Sequence, residues 1–483
     1  MILGPRARVA VAAAFFACVV LIRTHDIANS FLMLGEQTRD WAIALGGWRE
    51  LPLTGAPSTA GGRGFGPAYY WILWIGRHLV GPFTSNLPHA GGITVALLQS
   101  AADTCLLVVL SRRVPITLAL AMCLFIASAP FDISISGAIW NPPVAAALIK
   151  MATALALSLG DAPTRWRIAA TAAVAWLAVQ AHLSAVFVAA PIFAALIAQP
   201  LLKRETGAPA TRTLRGGVET GAPATRTLRG GVEWPGRRSF SEGGRRAAEL
   251  AALAGTVVLV LQIPYAVSYL REPDAPIGPT GAINAMANAR SIDVVKSYSA
   301  VVNGTSDLLV HQNDTWKFQF PVLAAAIIMA IRWRKDPMLL AVSVGAIVMA
   351  TALFATWTRP YDSYWFLTTT TAMVLTFGMT IAALPNRAAV QWIGAGALVV
   401  VAVLLPSRAG QAKEFFSYPQ YRTMRIGSTK LAAMAPALRD IRVNFEGAHP
   451  TMDKYFIYKI LGGRIEPGAP IAFIDEGGGV RVE

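Results

Sequence analysis

Charged residues are scarce in this chain of 483 residues. Only 14% of its residues are Asp, Glu, Lys or Arg, whereas 54% are hydrophobic. A typical soluble domain has about 25% charged residues, because its surface is solvated by them. The composition therefore excludes a soluble protein and indicates an integral membrane protein.

Cysteine and histidine are also rare. The three cysteines, Cys18, Cys105 and Cys123, lie inside apolar segments, where they are typical of small buried hydrophobic residues and exclude a disulfide framework. The six histidines are scattered, and no group of His, Cys, Asp and Glu has the spacing of a metal site. The sequence predicts no cofactor and leaves a requirement for a divalent metal open.

Acidic residues are fewer than basic ones, 27 against 42, which gives a net charge of +15. The basic residues are concentrated between residues 203 and 246 and in short loops between apolar segments. They lack the interleaved aromatic residues of a nucleic-acid-binding face. This distribution argues against nucleic acid as a partner and is typical of topology signals and contacts with anionic membrane lipids.

Apolar segments of about 15 to 20 residues recur along the chain, near the length that a helix needs to cross about 30 Å of hydrocarbon. The first, residues 9–22, follows Arg6 and Arg8 and is predicted to be an uncleaved anchor, with a cleaved signal peptide as the alternative. We predict an all-α polytopic membrane protein of about eleven transmembrane helices. The other ten predicted spans are residues 91–110, 114–130, 143–159, 168–182, 184–200, 248–266, 319–332, 338–357, 364–383 and 389–406.

Basic residues follow every second predicted span, so the positive-inside rule places the N-terminus in the cytoplasm and the C-terminal tail outside. A transmembrane domain is predicted over residues 1–406, with a first outer loop at 23–90 and a second at 267–318. The residues 407–483 are predicted to form a small extracytoplasmic α/β tail, with a helix at 429–442 and a strand at 471–474.

The basic cytoplasmic loop 203–246 contains a perfect tandem repeat, ETGAPATRTLRGGV at residues 205–218 and again at 219–232. Neither copy has apolar periodicity, and a solenoid needs more than two copies with a face that can be buried. We therefore predict that this loop is disordered.

The first outer loop has the clearest chemistry. Residues 36–45 suit a short helix that Gly46 and Gly47 would end. Spacing of four residues puts Glu36 and Asp40 on one face with Arg39 beside them. Because two close carboxylates disfavour ionisation of both, one of them could have a raised pKa and act as a general base. An exposed helix with an ordinary ion pair is the alternative.

The segment that follows, residues 52–67, is rich in glycine and contains Arg63. Consecutive backbone N–H groups together with an arginine can hold a phosphate. A flexible connector is the alternative and, on the sequence alone, the better interpretation. The apolar segment 69–80 begins with Tyr69, Tyr70 and Trp71 and is predicted to be an interfacial helix on the outer surface.

Four further residues are candidates for substrate binding. Trp140 and Asn141 begin a span on the outer side, and His182 lies in an outer turn, where a structural hydrogen bond is the alternative role. Lys150 lies near the middle of an apolar span, where charge is costly and therefore suggests function. It could neutralise a lipid phosphate, or it could pack against a polar interior.

Several of these segments resemble a known family. GEQTRD (residues 35–40), LPLTG (51–55), STAGG (58–62) and GPAYYW (66–71) are similar to the first periplasmic loop of bacterial polyprenyl-phosphate-sugar glycosyltransferases. These belong to the glycosyltransferase C superfamily, with the protein O-mannosyltransferases of family 39 and the lipid A aminoarabinose transferases. The segments WNP (140–142) and QAHLS (180–184) also look like family elements, so the resemblance covers roughly the first 200 residues.

The resemblance implies a multi-span fold, a sugar donor carried on a polyprenyl phosphate and an essential acidic residue in the first outer loop. That residue is usually aspartate, and the matching position here is Glu36. The lysine that precedes the proline-aromatic run in the aminoarabinose enzymes is replaced by Phe65-Gly66. Phosphate binding then falls to Arg63, Arg39 or another cation.

We therefore predict a glycosyltransferase of the bacterial inner membrane that moves a hexosyl or pentosyl group from a polyprenyl phosphate to an acceptor hydroxyl on the periplasmic side. The acceptor is a protein, a lipid or a glycan. Glu36 or Asp40 is the predicted general base, and an arginine stabilises the departing lipid phosphate. Tyr69 and Tyr70 are predicted to stack on sugar or prenyl chain, with an interfacial aromatic belt as the alternative.

Two other classes of protein fit parts of the sequence. A transporter or flippase of lipid-linked sugars would also use a charge inside the membrane such as Lys150, although the sequence lacks the two related halves common in transporters. A non-catalytic homologue in envelope assembly would explain the change from aspartate to glutamate at residue 36.

Overall fold

The structure, a computed structural model, describes the chain in several stretches. The tandem repeat and the predicted helix at 429–442 lie outside the described residues. The described residues are 4–25, 27, 31, 35–57, 62–84, 87–160, 163–202, 236–271, 284, 292–312, 315–358, 362–413, 444–445, 471–474 and 480–482.

Helices dominate the described part of the chain. A membrane fold requires this, because each backbone polar group in the hydrocarbon must find its partner within its own segment. Short 3₁₀ turns at Trp48–Glu50, Gly81–Phe83 and Leu183–Ala185 join some of the helices. The helices of the first half are α1 (Pro5–Thr24), α2 (Gly35–Ala44), α3 (Ala68–Val80), α4 (Leu87–Leu110), α5 (Ile116–Ala127), α6 (Pro130–Ser136), α7 (Asn141–Ser158), α8 (Arg165–Ala181) and α9 (Val186–Leu202).

The second half continues the bundle. A π-helical stretch, Ala341–Gly345, joins two helices into one span, and 3₁₀ segments at Thr315–Phe318 and Ser363–Thr369 precede two others. The helices are α10 (Gly236–Arg271), α11 (Val294–Val310), α12 (Gln319–Arg332), α13 (Pro337–Leu340), α14 (Ala346–Phe354), α15 (Thr370–Ala382) and α16 (Arg387–Ala412).

All eleven predicted spans coincide with helices. In the described residues, seven helical segments are long and apolar enough to cross a membrane, or nine if each of two bent pairs is one span. The bent pairs are α5 with α6, at 59°, and α11 with α12, at 110°. The two remaining predicted spans, α7 and α8, have only 18 and 17 residues. The polytopic all-α class is confirmed, and the count of eleven stays a prediction.

Two predicted loops contain helices. α10 begins at Gly236 and so includes part of the 203–246 loop, where Arg245 and Glu249 form an i,i+4 ion pair at 3.2 Å. α11 occupies the predicted second outer loop. The Ser, Thr, Asn and Gly content of α11 suggests a loop, but these side chains let it pack closely: Thr305 Oγ1 lies 2.7 Å from Thr369 Oγ1, and Gly304 lies against Phe366.

The tail contains a three-stranded sheet. β1 (Asn444–Phe445) pairs in parallel with β2 (Ile471–Ile474), and β2 pairs antiparallel with β3 (Val480–Val482). Phe445 is opposite Ala472, and Phe473 is opposite Arg481. The strand predicted at 471–474 is confirmed.

Hydrogen bonds and ion pairs join some of the described connections between helices into two groups. In one group, Arg113 pairs with Asp336 at 2.5 Å and donates to the Leu157 carbonyl at 2.6 Å, so three connections predicted to be cytoplasmic are joined. In the other group, Asn141 donates to the Ala181 carbonyl at 3.0 Å, which joins the end of one predicted outer connection to the last turn of the span before another. The contacts therefore follow the alternation that the basic residues predict.

Close helix packing gives a first prediction. Gly394 of α16 lies so near α5 that a Cβ there would be 2.6 Å from the Leu118 nitrogen and 2.8 Å from its Cα, whereas a Cβ at Gly396 meets nothing within 4 Å. We expect Gly394→Ala to lower the free energy of unfolding by about 1–3 kcal/mol, because the α5 backbone must move. Gly396→Ala is the matched control and should be neutral or slightly stabilising. Thermal unfolding in detergent measures both, and equal midpoints for the two variants would contradict the α5–α16 packing.

Candidate functional site

The acidic residues of the first outer loop lie on α2, which begins one residue before the predicted helix and ends one residue before its predicted end. The Gly46 N–H bonds the Ile43 carbonyl at 3.1 Å, so the chain leaves the helix at the predicted glycines. A helix end leaves carbonyls without partners. Arg77 of α3 is the hydrogen-bond donor for the carbonyls at the end of α2. Its Nη1 donates to the carbonyls of Ala44 at 3.2 Å, of Leu45 and of Gly46 at 3.4 Å.

Asp40 is the centre of the site. Its side chain is 1% exposed, and its Oδ1 lies 2.8 Å from both Nε and Nη2 of Arg39. The Tyr70 hydroxyl donates to the same oxygen at 3.0 Å. Three residues that the sequence singled out are therefore in direct contact, although Asp40 and Tyr70 belong to two helices and are 30 residues apart in the chain.

The pKa of Asp40 is raised above the ordinary value, and the main cause is burial, which disfavours the carboxylate. The Arg39 charge and the hydrogen bonds from Arg39 and Tyr70 act against this shift, and the Glu36 charge adds to it. The sequence attributed the raised pKa to the neighbouring carboxylate, and in the structure that contribution is the smallest. Glu36 itself is exposed on the outer turn of α2.

Tyr69 and Tyr70 point into the protein. Both are essentially buried, their ring centroids are 5.3 Å apart, and burial raises the pKa of each phenol. The Tyr69 hydroxyl is near enough to Asp40 for the carboxylate to help raise the pKa of this phenol, but its geometry gives it no hydrogen bond with a described residue. The opposite face of α3, with Trp71, Ile75 and Leu79, is exposed. The amphipathic helix is as predicted, but its tyrosines face Asp40 while Trp71 is on the surface.

The glycine-rich segment is anchored to the bundle. Gly55 N–H bonds the Gly64 carbonyl at 3.0 Å, and Gly64 N–H bonds the Ala56 carbonyl at 3.1 Å. Gly66 lies against the Gln180 side chain so closely that a Cβ would clash with it. Among the described residues, these contacts argue against a flexible connector.

Arg63, in the same segment, is exposed, and its charge acts to lower the pKa of Tyr70. The described residues contain no acidic partner for Arg63 within ion-pair distance. The charge of this exposed cation therefore acts on Tyr70, and no acidic residue of the described chain pairs with it.

A second group lies where α7 begins and α8 ends. The Trp140 ring centroid is 4.8 Å from that of Tyr364, and the His182 ring is 6.2 Å from Tyr364. His182 Nδ1 lies 2.8 Å from Ser184 Oγ and accepts from the Ser184 N–H at 3.3 Å. This histidine therefore makes the kind of structural hydrogen bond that was the alternative to substrate binding. Sequence reasoning missed Tyr364, although the run SYWF at the start of a span was a visible aromatic signal.

The two groups are adjacent. Trp41, next to Asp40, is fully buried, and so is Ile139, next to Trp140. A Cβ at Gly91 of α4 would lie 2.8 Å from both the Trp41 ring and the Ile139 side chain. The Trp41 ring of α2 and the Ile139 side chain therefore meet over the same glycine of α4.

Lys150 is not brought to either group. It is 1% exposed, and its Nζ lies 2.9 Å from Asp103 Oδ1, 3.6 Å from Asp132 Oδ1 and 2.9 Å from Gln99 Oε1. Arg23 completes what we name the buried ion cluster (Arg23, Gln99, Asp103, Asp132 and Lys150). Lys150 stood out in the sequence, but its partners Asp103 and Asp132 and their second cation, Arg23, were not predicted. The signal was available, since a lysine inside a span requires a counter-charge on a neighbouring span.

Within the described residues, no group of three or more His, Cys, Asp and Glu side chains could hold a metal ion.

No family model matches this chain, and neither does any curated protein. Two solved structures are similar over nearly its whole length. ArnT from Cupriavidus metallidurans bound to undecaprenyl phosphate has a TM-score of 0.53 and 15% identity, covering 95% of this chain and 84% of that one. The apo state of the same protein has a TM-score of 0.51 and 16% identity, covering 96% and 86%.

At this identity the comparison shows the fold. This chain has the polytopic, all-α architecture of ArnT, the glycosyltransferase C fold. The resemblance seen in roughly the first 200 residues is confirmed at the level of the fold, and it extends through the second half of the chain.

The contacts of Arg77 give a second prediction. Arg77→Met removes the charged donor from the last carbonyls of α2, and one hydrogen bond to a charged group contributes about 1.5–3 kcal/mol. We expect the backbone amides of residues 41–47 to exchange about ten- to a hundred-fold faster in hydrogen-exchange mass spectrometry. Arg49→Met is the control, because Arg49 is exposed and contacts only the Trp48 ring in the described chain, at 5.6 Å. Unchanged exchange in Arg77→Met would mean that Arg77 does not hold the end of α2.

Proposed function

We propose that this protein is a membrane glycosyltransferase that moves a sugar from a polyprenyl-phosphate donor to an acceptor hydroxyl. The observation that carries the proposal is the environment of Asp40: a buried carboxylate of raised pKa, held by Arg39 and Tyr70 beside an exposed arginine. A carboxylate whose pKa is shifted toward neutrality is suited to act as a general base. The fold shared with ArnT supports the reaction class.

The cations of the site support a phosphate-bearing donor. Arg63 is exposed and its charge acts on Tyr70, and the Arg39 side chain is 40% exposed although it holds Asp40. Guanidinium groups bind phosphate oxygens through paired hydrogen bonds. One ArnT structure contains undecaprenyl phosphate, which supports a lipid of this kind as the donor's carrier.

The reaction is a single displacement. Asp40 takes the proton of the acceptor hydroxyl as the oxygen attacks the anomeric carbon of the sugar. The bond between that carbon and the phosphate oxygen breaks, its electron pair stays on the phosphate, and Arg63 and Arg39 stabilise the added charge. Attack from the face opposite the phosphate inverts the anomeric configuration.

Glu36 is the other candidate base. It is exposed at the start of α2, four residues from Asp40, and it is the position that matches the acidic residue of the similar glycosyltransferases. Its charge contributes to the raised pKa of Asp40. We assign the proton transfer to Asp40, because burial makes its carboxylate the stronger base, and we assign Glu36 a contribution to the charge of the site.

We further propose that Trp140, Asn141 and His182, with Tyr364, bind sugar or acceptor, since aromatic faces suit apolar sugar surfaces. The site faces the periplasm of a bacterial cell, with the N-terminus in the cytoplasm and the C-terminal tail outside the inner membrane. The distribution of basic residues supports this orientation. The sugar is a hexose or pentose, and the acceptor is a protein, lipid or glycan hydroxyl.

A second candidate function is transport or flipping of a lipid-linked sugar. The specific observation in its favour is the pair of bent spans, α5 with α6 and α11 with α12, together with the ion cluster buried beside one of them. Broken helices and buried charge are common in transporters. Movement of the lipid-linked sugar across vesicles without transfer of the sugar would support this function.

Asp40 provides the test of the enzyme. We expect Asp40→Asn to lower kcat/KM for transfer of labelled sugar from a polyprenyl phosphate about 10²- to 10⁴-fold, the usual contribution of a general base. Glu36→Gln should lower it by less than tenfold, since Glu36 contributes only charge. The two substitutions make the same chemical change four residues apart, so each serves as the control for the other.

A larger loss of kcat/KM in Glu36→Gln than in Asp40→Asn would assign the general base to Glu36 instead. Full activity in both variants would remove the proposed site. Binding of the donor without turnover by the wild-type protein would favour a non-catalytic homologue in envelope assembly.

The pH dependence of the reaction gives a further prediction. Asp40 must be ionised to accept a proton, so activity rises with pH through its raised pKa. The Tyr70 hydroxyl bonds the carboxylate and opposes this rise in pKa. Tyr70→Phe should therefore move the acidic limb of the kcat/KM profile to higher pH by about half to one unit, as the loss of one hydrogen bond implies. Tyr69→Phe, whose hydroxyl makes no hydrogen bond with a described residue, should shift it less. A shift to lower pH in Tyr70→Phe is the contradictory result.

A further inference from the structure

The buried ion cluster is closed on itself. Arg23 Nη2 pairs with Asp103 Oδ2 at 2.6 Å and with Asp132 Oδ2. Lys150 Nζ contacts the other oxygen of each carboxylate, at 2.9 and 3.6 Å. Each carboxylate thus bridges both cations, and all four side chains are at most 4% exposed. Two positive and two negative charges cancel, as burial in an apolar bundle requires.

The cluster joins four helices. Arg23 is near the end of α1, Asp103 is on α4, Asp132 is on α6 and Lys150 is on α7. Three of these helices have 18 residues or more, whereas α6 has only seven. A helix of seven residues has little stability of its own, so its position depends on what it is attached to.

α6 continues α5 after a bend of 59°. Arg408 of α16 binds the chain at this bend. Nε of Arg408 donates to the Ser128 carbonyl at 2.7 Å, and Nη2 donates to the Phe125 carbonyl at 2.8 Å. These carbonyls have no N–H partner within the helix, because α5 ends here. Arg408 thus fixes the start of the bend, and Asp132 is the ionic attachment of α6 itself.

The chain after α6 leads directly to the candidate site. Residues 137–139 follow α6 and precede Trp140. A Cβ at Gly92 would clash with the Gly137 carbonyl, and a Cβ at Gly91 would clash with both the Ile139 side chain and the Trp41 ring. Residues 137–139 are therefore packed tightly against α4, with Trp41 of the Asp40 helix on the same glycine. A shift of α6 would move this contact.

We propose that the buried ion cluster is a positioning device: Asp132 ties the short helix α6 to Arg23 and Lys150, and thereby holds residues 137–140 against Trp41 and the Asp40 helix. Within the described chain, the ion pairs of Asp132 are with Arg23 and Lys150 inside the cluster and not with the Asp40 or Trp140 groups, so Asp132 acts on those groups through Ile139. The consequence for catalysis rests on the proposed function, whereas the tie between Asp132 and Ile139 does not.

The test uses two charge-balanced double variants. Asp132→Asn/Lys150→Met removes the carboxylate of α6 together with one cation. Asp103→Asn/Lys150→Met removes the carboxylate of α4 and the same cation, so Asp132 keeps its pairing with Arg23. Both variants retain one carboxylate and one arginine, and they differ in whether α6 remains tied.

The readout is the accessibility of a cysteine introduced by Ile139→Cys, with Cys18, Cys105 and Cys123 replaced by alanine. Ile139 is fully buried, so reaction with a small maleimide reports movement of the segment. We expect labelling to be at least tenfold faster with Asp132→Asn/Lys150→Met than in the parent, and within about twofold of the parent with Asp103→Asn/Lys150→Met. Ala350→Cys, fully buried on α14, is the control for general loosening and should stay unreactive in both.

Equal labelling of residue 139 in the two double variants would overturn the proposal, because the cluster would then act only through overall stability. Faster labelling at residue 350 as well would overturn it for the same reason. Sugar transfer is measured on the same proteins: slower turnover with unchanged KM in the Asp132 variant alone is expected if the proposed function holds. Absence of transfer in the parent removes the proposed function and leaves the labelling result intact.

Discussion

An unpaired charge is costly in an apolar bundle, and this constraint is met in two ways in this protein. Deep between the helices, two carboxylates and two cations form a closed cluster in which every charge is opposed. Near one end, Asp40 is almost as buried but has only Arg39 and a tyrosine hydroxyl as partners, and Arg39 is partly exposed. The first arrangement joins helices, while the second leaves a carboxylate whose ionisation is disfavoured. The proposed chemistry of the site depends on Asp40 having fewer charged partners than the carboxylates of the buried ion cluster.

Close approach through glycine is the second theme of the structure. Gly66 is in close contact with Gln180, and Gly394 is in close contact with the backbone of α5. Gly91 and Gly92 are in close contact with the segment before Trp140. At each position a Cβ would force one partner away. Without a large hydrophobic driving force between helices in lipid, such close packing supplies much of the contact energy. It also explains why the glycine-rich segment beside Arg63, which the sequence alone presents as a connector, is held in place.

Several parts of the site could be predicted because their signals are local. The α2 helix, its end at the glycines and the amphipathic α3 follow from spacing within about a dozen residues. The contact of Asp40 with Tyr70, the burial that raises its pKa and the pairing of Lys150 with Asp103 and Asp132 join residues that are distant in sequence. The α11 helix was missed for a related reason, since its small polar residues are compatible with a helix only once their partners on α14 and in the 3₁₀ segment Ser363–Thr369 are present.

The sequence by itself determined the class of the protein: its scarcity of charge, the recurrence of apolar segments and the alternation of basic loops require a helical membrane bundle with two distinct ends, because lipid offers the backbone no partners. It also determined which residues near the N-terminus have chemistry to offer. Only the tertiary structure decided which of them meet, which carboxylate is buried beside Tyr70 and which charge, Lys150, is neutralised inside the bundle. Those outcomes depend on how far each side chain is removed from water, and burial is a property of the packed helices that no local spacing contains.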